Sequence, residues 1–238
     1  MARVNDPSYD YPLHIEAIED LLLEVFRGRL SKLLLSCPPR HGKSELISKY
    51  FPAWWILHKP HDRIILASYE AHFAEHWGRK VRELVEEYGK YFGVTLRKDS
   101  KRAASWETMA GGGMYTAGVG GPITGKGANL LILDDPIKNA EQALSKTYRE
   151  KTWDWFNSTA YTRLEPGGSV IVMHTRWHED DLAGRLKNTG KYLFINFPAI
   201  ADQDDSLGRE PGFALWPERF PVETLLEIKN QIGSYWFN

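Results

Sequence analysis

An α/β fold, with a mainly parallel sheet covered by helices on both faces, follows from two features of the sequence. Short apolar runs alternate with stretches of helical spacing across some 170 residues, and one such run leads straight into the loop "CPPRHGKSE" at residues 37 to 45. At 238 residues the chain makes one large domain, or a domain with a short appendage.

Residues 13 to 27 read as an amphipathic helix with Ile18, Leu21, Leu22, Val25 and Phe26 on one face and Gly28 as its stop. Lys32 to Ser36 form a buried strand. Residues 45 to 58 form a helix kinked at Pro52, and residues 63 to 68 a second strand. A long helix runs from about 70 to 88 and stops at Gly89. Between 90 and 127 the chain is less regular, and the glycine-rich tract "AGGGMYTAGVGGPITGKG" reads as turns and short hairpins. Leu130 to Leu133 are a strand ending in two aspartates, helical spacing returns from 139 to 156, and Gly168 to His174 form a further strand. "DDLAGRLKN" is helical, 192 to 197 is a fifth strand candidate, and residues 222 to 232 form a last helix. The division is residues 1–212 as the main domain and 213–238 as a C-terminal helix and linker. The terminal aromatic residues of "SYWFN" have nothing following them to pack on, which implies that the natural chain continues.

The loop carries the chemistry. A phosphate-binding loop needs successive backbone N–H groups, a lysine that reaches the β/γ oxygens, a hydroxyl on Mg2+ and a helix N-terminus beneath. Gly42, Lys43 and Ser44 keep all of this, flanked by Pro39, Arg40, His41 and Glu45. Cys37 stands where the motif has its first glycine, and Pro38-Pro39 supply a turn. Such a loop needs a carboxylate on another strand to hold Mg2+, and Asp134 ends the hydrophobic run "LLILDD". Asp135 is placed to orient an attacking water, Arg40 to meet the γ-phosphate, and Thr175 of "VMHTRW" to sense it. The two aspartates alone also suit a turn, and Thr175 alone suits a cap. In "HTRWHEDD" the residues His174, His178, Asp180 and Asp181 read as a helix start, not as a zinc site. The pairing of loop and aspartates predicts a P-loop NTPase of the RecA/ASCE-like kind using ATP and Mg2+.

A formal charge of −1 excludes a generally basic surface, so a nucleic-acid contact is local, with Arg97, Lys98, Lys101 and Arg102 as one candidate patch. No run approaches a membrane span, residues 1 to 20 are too charged for a secretory signal, and a single cysteine agrees with a reducing compartment.

"PPRHGKSE", "GKGANLLILDDPIKN", "VMHTRWHEDDLAGRL" and "RFPVETLLEIKNQIGSYWFN" together resemble the large terminase subunit of tailed bacteriophages, over nearly the whole chain. The resemblance implies a motor ATPase that packages double-stranded DNA into a prohead. It would work in the host cytoplasm as a homo-oligomeric ring on the portal, together with a small terminase subunit and without a membrane. A separate nuclease domain lies C-terminal in the family, so cleavage is not expected of these residues. It also implies roles. Lys43 and Ser44 match the Walker A pair, Arg40 the loop arginine, Asp134 the Walker B aspartate and Thr175 the coupling motif. Asp135 stands where many relatives have a glutamate, with about 1.5 Å less reach. His14 lies near where the family contacts adenine, and Lys126 falls where relatives carry a trans-acting arginine. Two other readings are a helicase-like DNA-dependent ATPase, disfavoured by "DDPI" and the chain length, and a nucleotide-binding assembly module with little turnover.

Overall fold

Unbroken apolar runs in the central strands decide the architecture, because side chains alternate between the two faces of a sheet and each strand must then bury both of them. The computed structural model describes residues 1–123 and 125–237, apart from the side chains of Lys101, Tyr235 and Trp236. Those three were expected in the basic patch and the aromatic tail, and their side chains lie outside the described residues. Eight strands form one sheet: β1 (Lys32–Ser36), β2 (Arg63–Ser68), β3 (Leu96–Arg102), β4 (Ser105–Thr108), β5 (Gly113–Gly118), β6 (Ala128–Asp134), β7 (Leu164–His174) and β8 (Leu193–Asn196). Their order is β3-β4-β5-β2-β6-β7-β1-β8. The six strands from β5 to β8 in that order are mutually parallel, and β3 and β4 extend the sheet as an antiparallel edge.

Leu33, Leu35, Ile64, Leu66, Leu130, Ile132, Ile171 and Met173 face one core. Their neighbours Leu34, Ile65, Ala67, Leu131, Leu133, Val170 and Val172 face the other. The first core is closed by α2 (Leu13–Phe26), α3 (Phe51–His58) and α4 (Ala71–Phe92). The second is closed by α6 (Lys146–Trp155) and α7 (Leu182–Asn188). Around these lie the short α1 (Ala2–Asn5), α5 (Ala140–Leu144), α8 (Val222–Ile232) and α9 (Ser234–Phe237). No helix among the described residues is long and apolar enough to cross a membrane.

Four local expectations change. The glycine-rich tract contains β5, a parallel strand hydrogen-bonded between β4 and β2. Glycine is needed at its start because a Cβ on Gly113 would lie 2.2 Å from the Trp106 carbonyl. Helix α4 does not stop at Gly89 but runs to Phe92 and ends at Gly93, whose φ of 69° is the left-handed turn of a C-cap. Gly89 has another reason to lack a side chain: the returning chain puts the Val94 carbonyl 2.3 Å from where a Cβ would stand. The 139–156 helix breaks at Ser145, which takes an extended ψ of 109° and caps α6 by accepting from the Tyr148 N–H. Pro52 does not kink a helix midway. It sits in the first turn of α3, and the preceding Glu45–Tyr50 segment is π-helical. Proline offers no N–H to the carbonyl four residues back, and the wider i→i+5 register answers that loss.

The packing of α4 on the antiparallel edge gives a stability test. A Cβ at Gly78 would stand 2.4 Å from the Ala103 carbonyl and 2.8 Å from Thr116 Cγ2, and the Gly78 carbonyl accepts from Trp106 Nε1 at 3.0 Å. Gly78→Ala should cost about 2 kcal/mol by overpacking, lowering the thermal midpoint by roughly 4–8 °C in differential scanning calorimetry. An unchanged midpoint would show that the edge strands shift freely.

Candidate functional site

The site forms at the C-terminal ends of β1, β6 and β7, where a parallel sheet leaves open carbonyl ends and helix N-termini. β7 lies between β1 and β6, with Ser36 in register with His174 and Asp134 with Met173. That insertion puts Thr175, the residue after β7, between the loop that follows β1 and the aspartates that end β6.

The loop doubles back through two left-handed residues, Arg40 at φ 61° and Gly42 at φ 82°, before entering the π-helical segment through Ser44 at φ −70° and ψ −34°. Alternating left- and right-handed residues point successive N–H groups into one concavity, which suits an anion. Gly42 needs its missing side chain, since a Cβ would press on Ile15 Cδ1 at 3.2 Å. Cys37, in the first-glycine position, is buried, and burial pushes its thiol up to about 12, so it packs as a neutral group. Arg40 and Pro39 are exposed at the tip, and among the described residues Arg40 makes no ion pair. Glu45 is held by Lys49 at 2.8 Å.

From this loop Lys43 reaches inward, only 5% exposed. Its Nζ donates to Thr175 Oγ1 at 3.2 Å and pairs with Asp135 Oδ2 at 3.1 Å. Burial works against the ammonium, but the Asp135 and Asp134 carboxylates outweigh it and hold the proton more tightly than on a free lysine. Asp134 is fully buried, accepting from Ser44 Oγ at 3.2 Å through Oδ1 and from Ser48 Oγ at 2.8 Å through Oδ2. Burial first, and then the Asp135 charge, push its carboxyl above the ordinary range. Asp135 adopts φ 45°, a left-handed conformation uncommon for a residue with a Cβ. It is pinned there on both sides, donating through its N–H to the Met173 carbonyl and accepting from the Tyr69 N–H. The turn swings its side chain across the end of β7, where Oδ1 accepts from the Thr175 N–H at 2.6 Å.

Lys43, Ser44, Asp134, Asp135 and Thr175 therefore meet in one place. The remaining candidates sit elsewhere. His14, on α2, is completely buried beneath the loop, and its Nε2 donates to the His41 carbonyl at 2.8 Å. His41 donates through Nδ1 to the Pro39 carbonyl and stacks on Phe220 at 4.8 Å. Burial lowers its pKa to about 4, so it is neutral near pH 7. Lys126 lies in the loop before β6, at the end of the sheet opposite the site, paired with Glu107 at 3.5 Å. Arg97 of the basic patch is bound to Asp99 and Glu107. In the "HTRWHEDD" stretch Asp181 caps α7 by accepting from the Gly184 N–H, as expected.

Two groups of residues escaped sequence reading. Ser48 lies four residues after Ser44, a helical spacing that would have revealed it. Trp216 and Phe220 come back from the far end of the chain to pack against His14 and His41, and no local pattern announces that.

Chemically, the buried carboxylate and adjacent hydroxyl are hard oxygen donors of the kind Mg2+ takes, and the concave loop with a charged lysine suits a polyphosphate. The residues present fit both groups.

Comparison with curated protein sequences gives no match. Among solved structures, the large terminase of the thermophilic bacteriophage D6E aligns with a TM-score of 0.50 and 13% identity, covering 90% of this chain and 50% of that one. The HK97 bacteriophage large terminase aligns with a TM-score of 0.54 and 14% identity, covering 92% of this chain and 43% of that one. At such identities the likeness is one of fold, that of the P-loop NTPases, and the chain spans about half the length of these proteins or less. The family profile described as terminase large subunit, T4likevirus-type, N-terminal, matches residues 34–227. With that span added to the shared fold, the chain belongs to the N-terminal part of the large terminase subunits.

Proposed function

We propose that the chain is the ATP-hydrolysing motor domain of a DNA-packaging terminase. The observation that supports this best is the convergence of Lys43, Ser44, Asp134, Asp135 and Thr175 at the open end of the sheet. Ser44 and Asp134 would hold Mg2+, which when bound neutralises phosphate charge and positions the transferring group. Lys43 leaves Asp135 and Thr175 to meet the β/γ oxygens. Its departure frees Asp135 Oδ2 to take a proton from the attacking water, while the Thr175 N–H keeps hold of Oδ1. Thr175 Oγ1, released by Lys43, is then the group that feels the terminal phosphate. Arg40, exposed and unpaired at the loop tip, is available to the same phosphate. His14 contributes to nucleotide binding by fixing the His41 carbonyl and so the shape of the loop. Pro39, His41, Gly42 and Glu45 complete the loop.

Double-stranded DNA, a homo-oligomeric ring on a portal and prohead, a small terminase subunit and a setting in the host cytoplasm complete the proposal. They are supported by membership of the family. Lys126 is directed away from its own loop, so any role at a phosphate is in trans, toward a neighbouring copy. Nuclease activity is not part of the proposal.

Steady-state phosphate release with Mg2+ and ATP, across protein concentrations and with or without DNA, tests this reading. Lys43→Ala should lower turnover by at least about 10³-fold, because the lysine serves both binding and transition-state charge. Absence of lysine-dependent turnover under every condition would favour a nucleotide-binding assembly module instead.

A further inference from the structure

Asp134 is held by two hydroxyls, and only one of them belongs to the phosphate-loop motif. The other, Ser48, is 0% exposed and lies one turn further along the π-helical segment Glu45–Tyr50. Ser44 Oγ meets Oδ1 at 3.2 Å, and Ser48 Oγ meets Oδ2 at the shorter 2.8 Å. A carboxylate gripped by one oxygen alone can turn about its Cβ–Cγ bond and exchange its oxygens. With each oxygen on a separate donor it cannot. Residues four apart stack on one helix face, so both hydroxyls look toward the end of β6. The segment's register is set in turn by Pro52, which has no N–H to offer the Ser48 carbonyl.

We propose that Ser48 is a positioning residue for the metal-binding carboxylate. By donating to Oδ2 it fixes the plane of Asp134, leaving Oδ1 aimed past Ser44 toward the cation and its water shell. The proposal rests on the reading of the loop as a Mg-nucleotide site. Ser48 itself touches neither phosphate nor metal. Its effect is confined to how well Asp134 is presented, and hydrogen-bonded partners of metal-site ligands typically contribute about 10–100-fold to metal affinity or activity.

The test measures binding of a nonhydrolysable ATP analogue by titration calorimetry while Mg2+ is varied, for wild type, Ser48→Ala and Ser48→Thr. Thermal midpoints are taken in EDTA. Ser48→Ala should raise the Mg2+ concentration needed for half-maximal binding by about tenfold or more. Its affinity for the analogue in EDTA should stay that of wild type, and Ser48→Thr should restore the Mg2+ requirement. Should Ser48→Ala fail to fold, the comparison moves to Ser48→Thr against Ser48→Cys, in which the weaker thiol donor should reproduce the higher Mg2+ requirement. A changed midpoint with an unchanged Mg2+ requirement would reduce Ser48 to core packing and overturn the proposal, while leaving the nucleotide site intact. If wild type itself shows no Lys43-dependent binding of the Mg-nucleotide, the site reading falls, and the role of Ser48 falls with it.

Discussion

Replacing Asp135 with Asn should lower ATP turnover by about 10³-fold, within the range for loss of a positioned general base, while nucleotide binding should survive. The backbone makes Asn the right substitution, because the φ of 45° at this position suits Asn as well as Asp. The chain should fold unchanged. What is lost is the match of donors and acceptors. Asp135 accepts from the Thr175 N–H and from Lys43 with its two oxygens. An amide keeps one acceptor and turns a donor toward the other partner. With nucleotide bound, the carboxylate that would accept a proton is gone. Binding measured by calorimetry alongside phosphate release separates the two effects. Near-normal turnover would remove Asp135 from catalysis, and lost binding would make its role that of holding the loop.

The second large effect concerns Asp134, and its two consequences have opposite signs. Asp134→Asn should abolish Mg2+-dependent turnover, because the remaining ligand set lacks its anionic oxygen. The same substitution should make the nucleotide-free protein more stable at neutral and higher pH. Burial and the neighbouring Asp135 push the folded-state carboxyl up to about 7 from its ordinary 3.8. A carboxyl raised in this way binds its proton more tightly in the folded than in the unfolded chain. Its contribution to stability is therefore greatest below the unfolded value and falls as pH rises through the window between the two. Asn has no proton to lose. The gap in stability between variant and wild type, followed by urea unfolding without Mg2+ from pH 4 to pH 8, should widen by a few kcal/mol in favour of Asn. Adding Mg2+ and nucleotide should reverse the order, since only wild type gains from them. A gap that stays flat with pH would show that Asp134 is ionised throughout.

How far the sequence carries this site depends on the kind of signal each residue leaves. Leu33, Leu34 and Leu35 mark a strand by an unbroken apolar run, and Ser44 and Asp134 mark its chemistry by motif, so the strands β1, β2, β6 and β7 and their loops are legible. β5 is not, because the glycines that let it pass close to Trp106 also erase its β-propensity. Gly89 misled for a related reason. A glycine late in a helix reads as a stop, yet here it makes room for a returning carbonyl, and the stop is Gly93. Site geometry shows the same division. That Lys43, Asp134, Asp135 and Thr175 meet is implied by placing β7 between β1 and β6. That Asp135 turns its side chain back through a left-handed backbone, or that Phe220 lies against His41, depends on contacts between segments far apart in the chain. Such contacts leave no periodicity to read.

Lys43, the lysine proposed to meet phosphate, is not a bare cation. Joined to Asp135 at 3.1 Å and almost sealed from water, its charge is already cancelled within the protein. Chloride or a lone orthophosphate should therefore meet little attraction there, too little to offset breaking the pair. On the proposed reading, a triphosphate would bring enough negative charge, and enough contacts with the loop's amides, to outbid the aspartate, so the ion pair would set a threshold that screens ligands by charge before any chemistry begins.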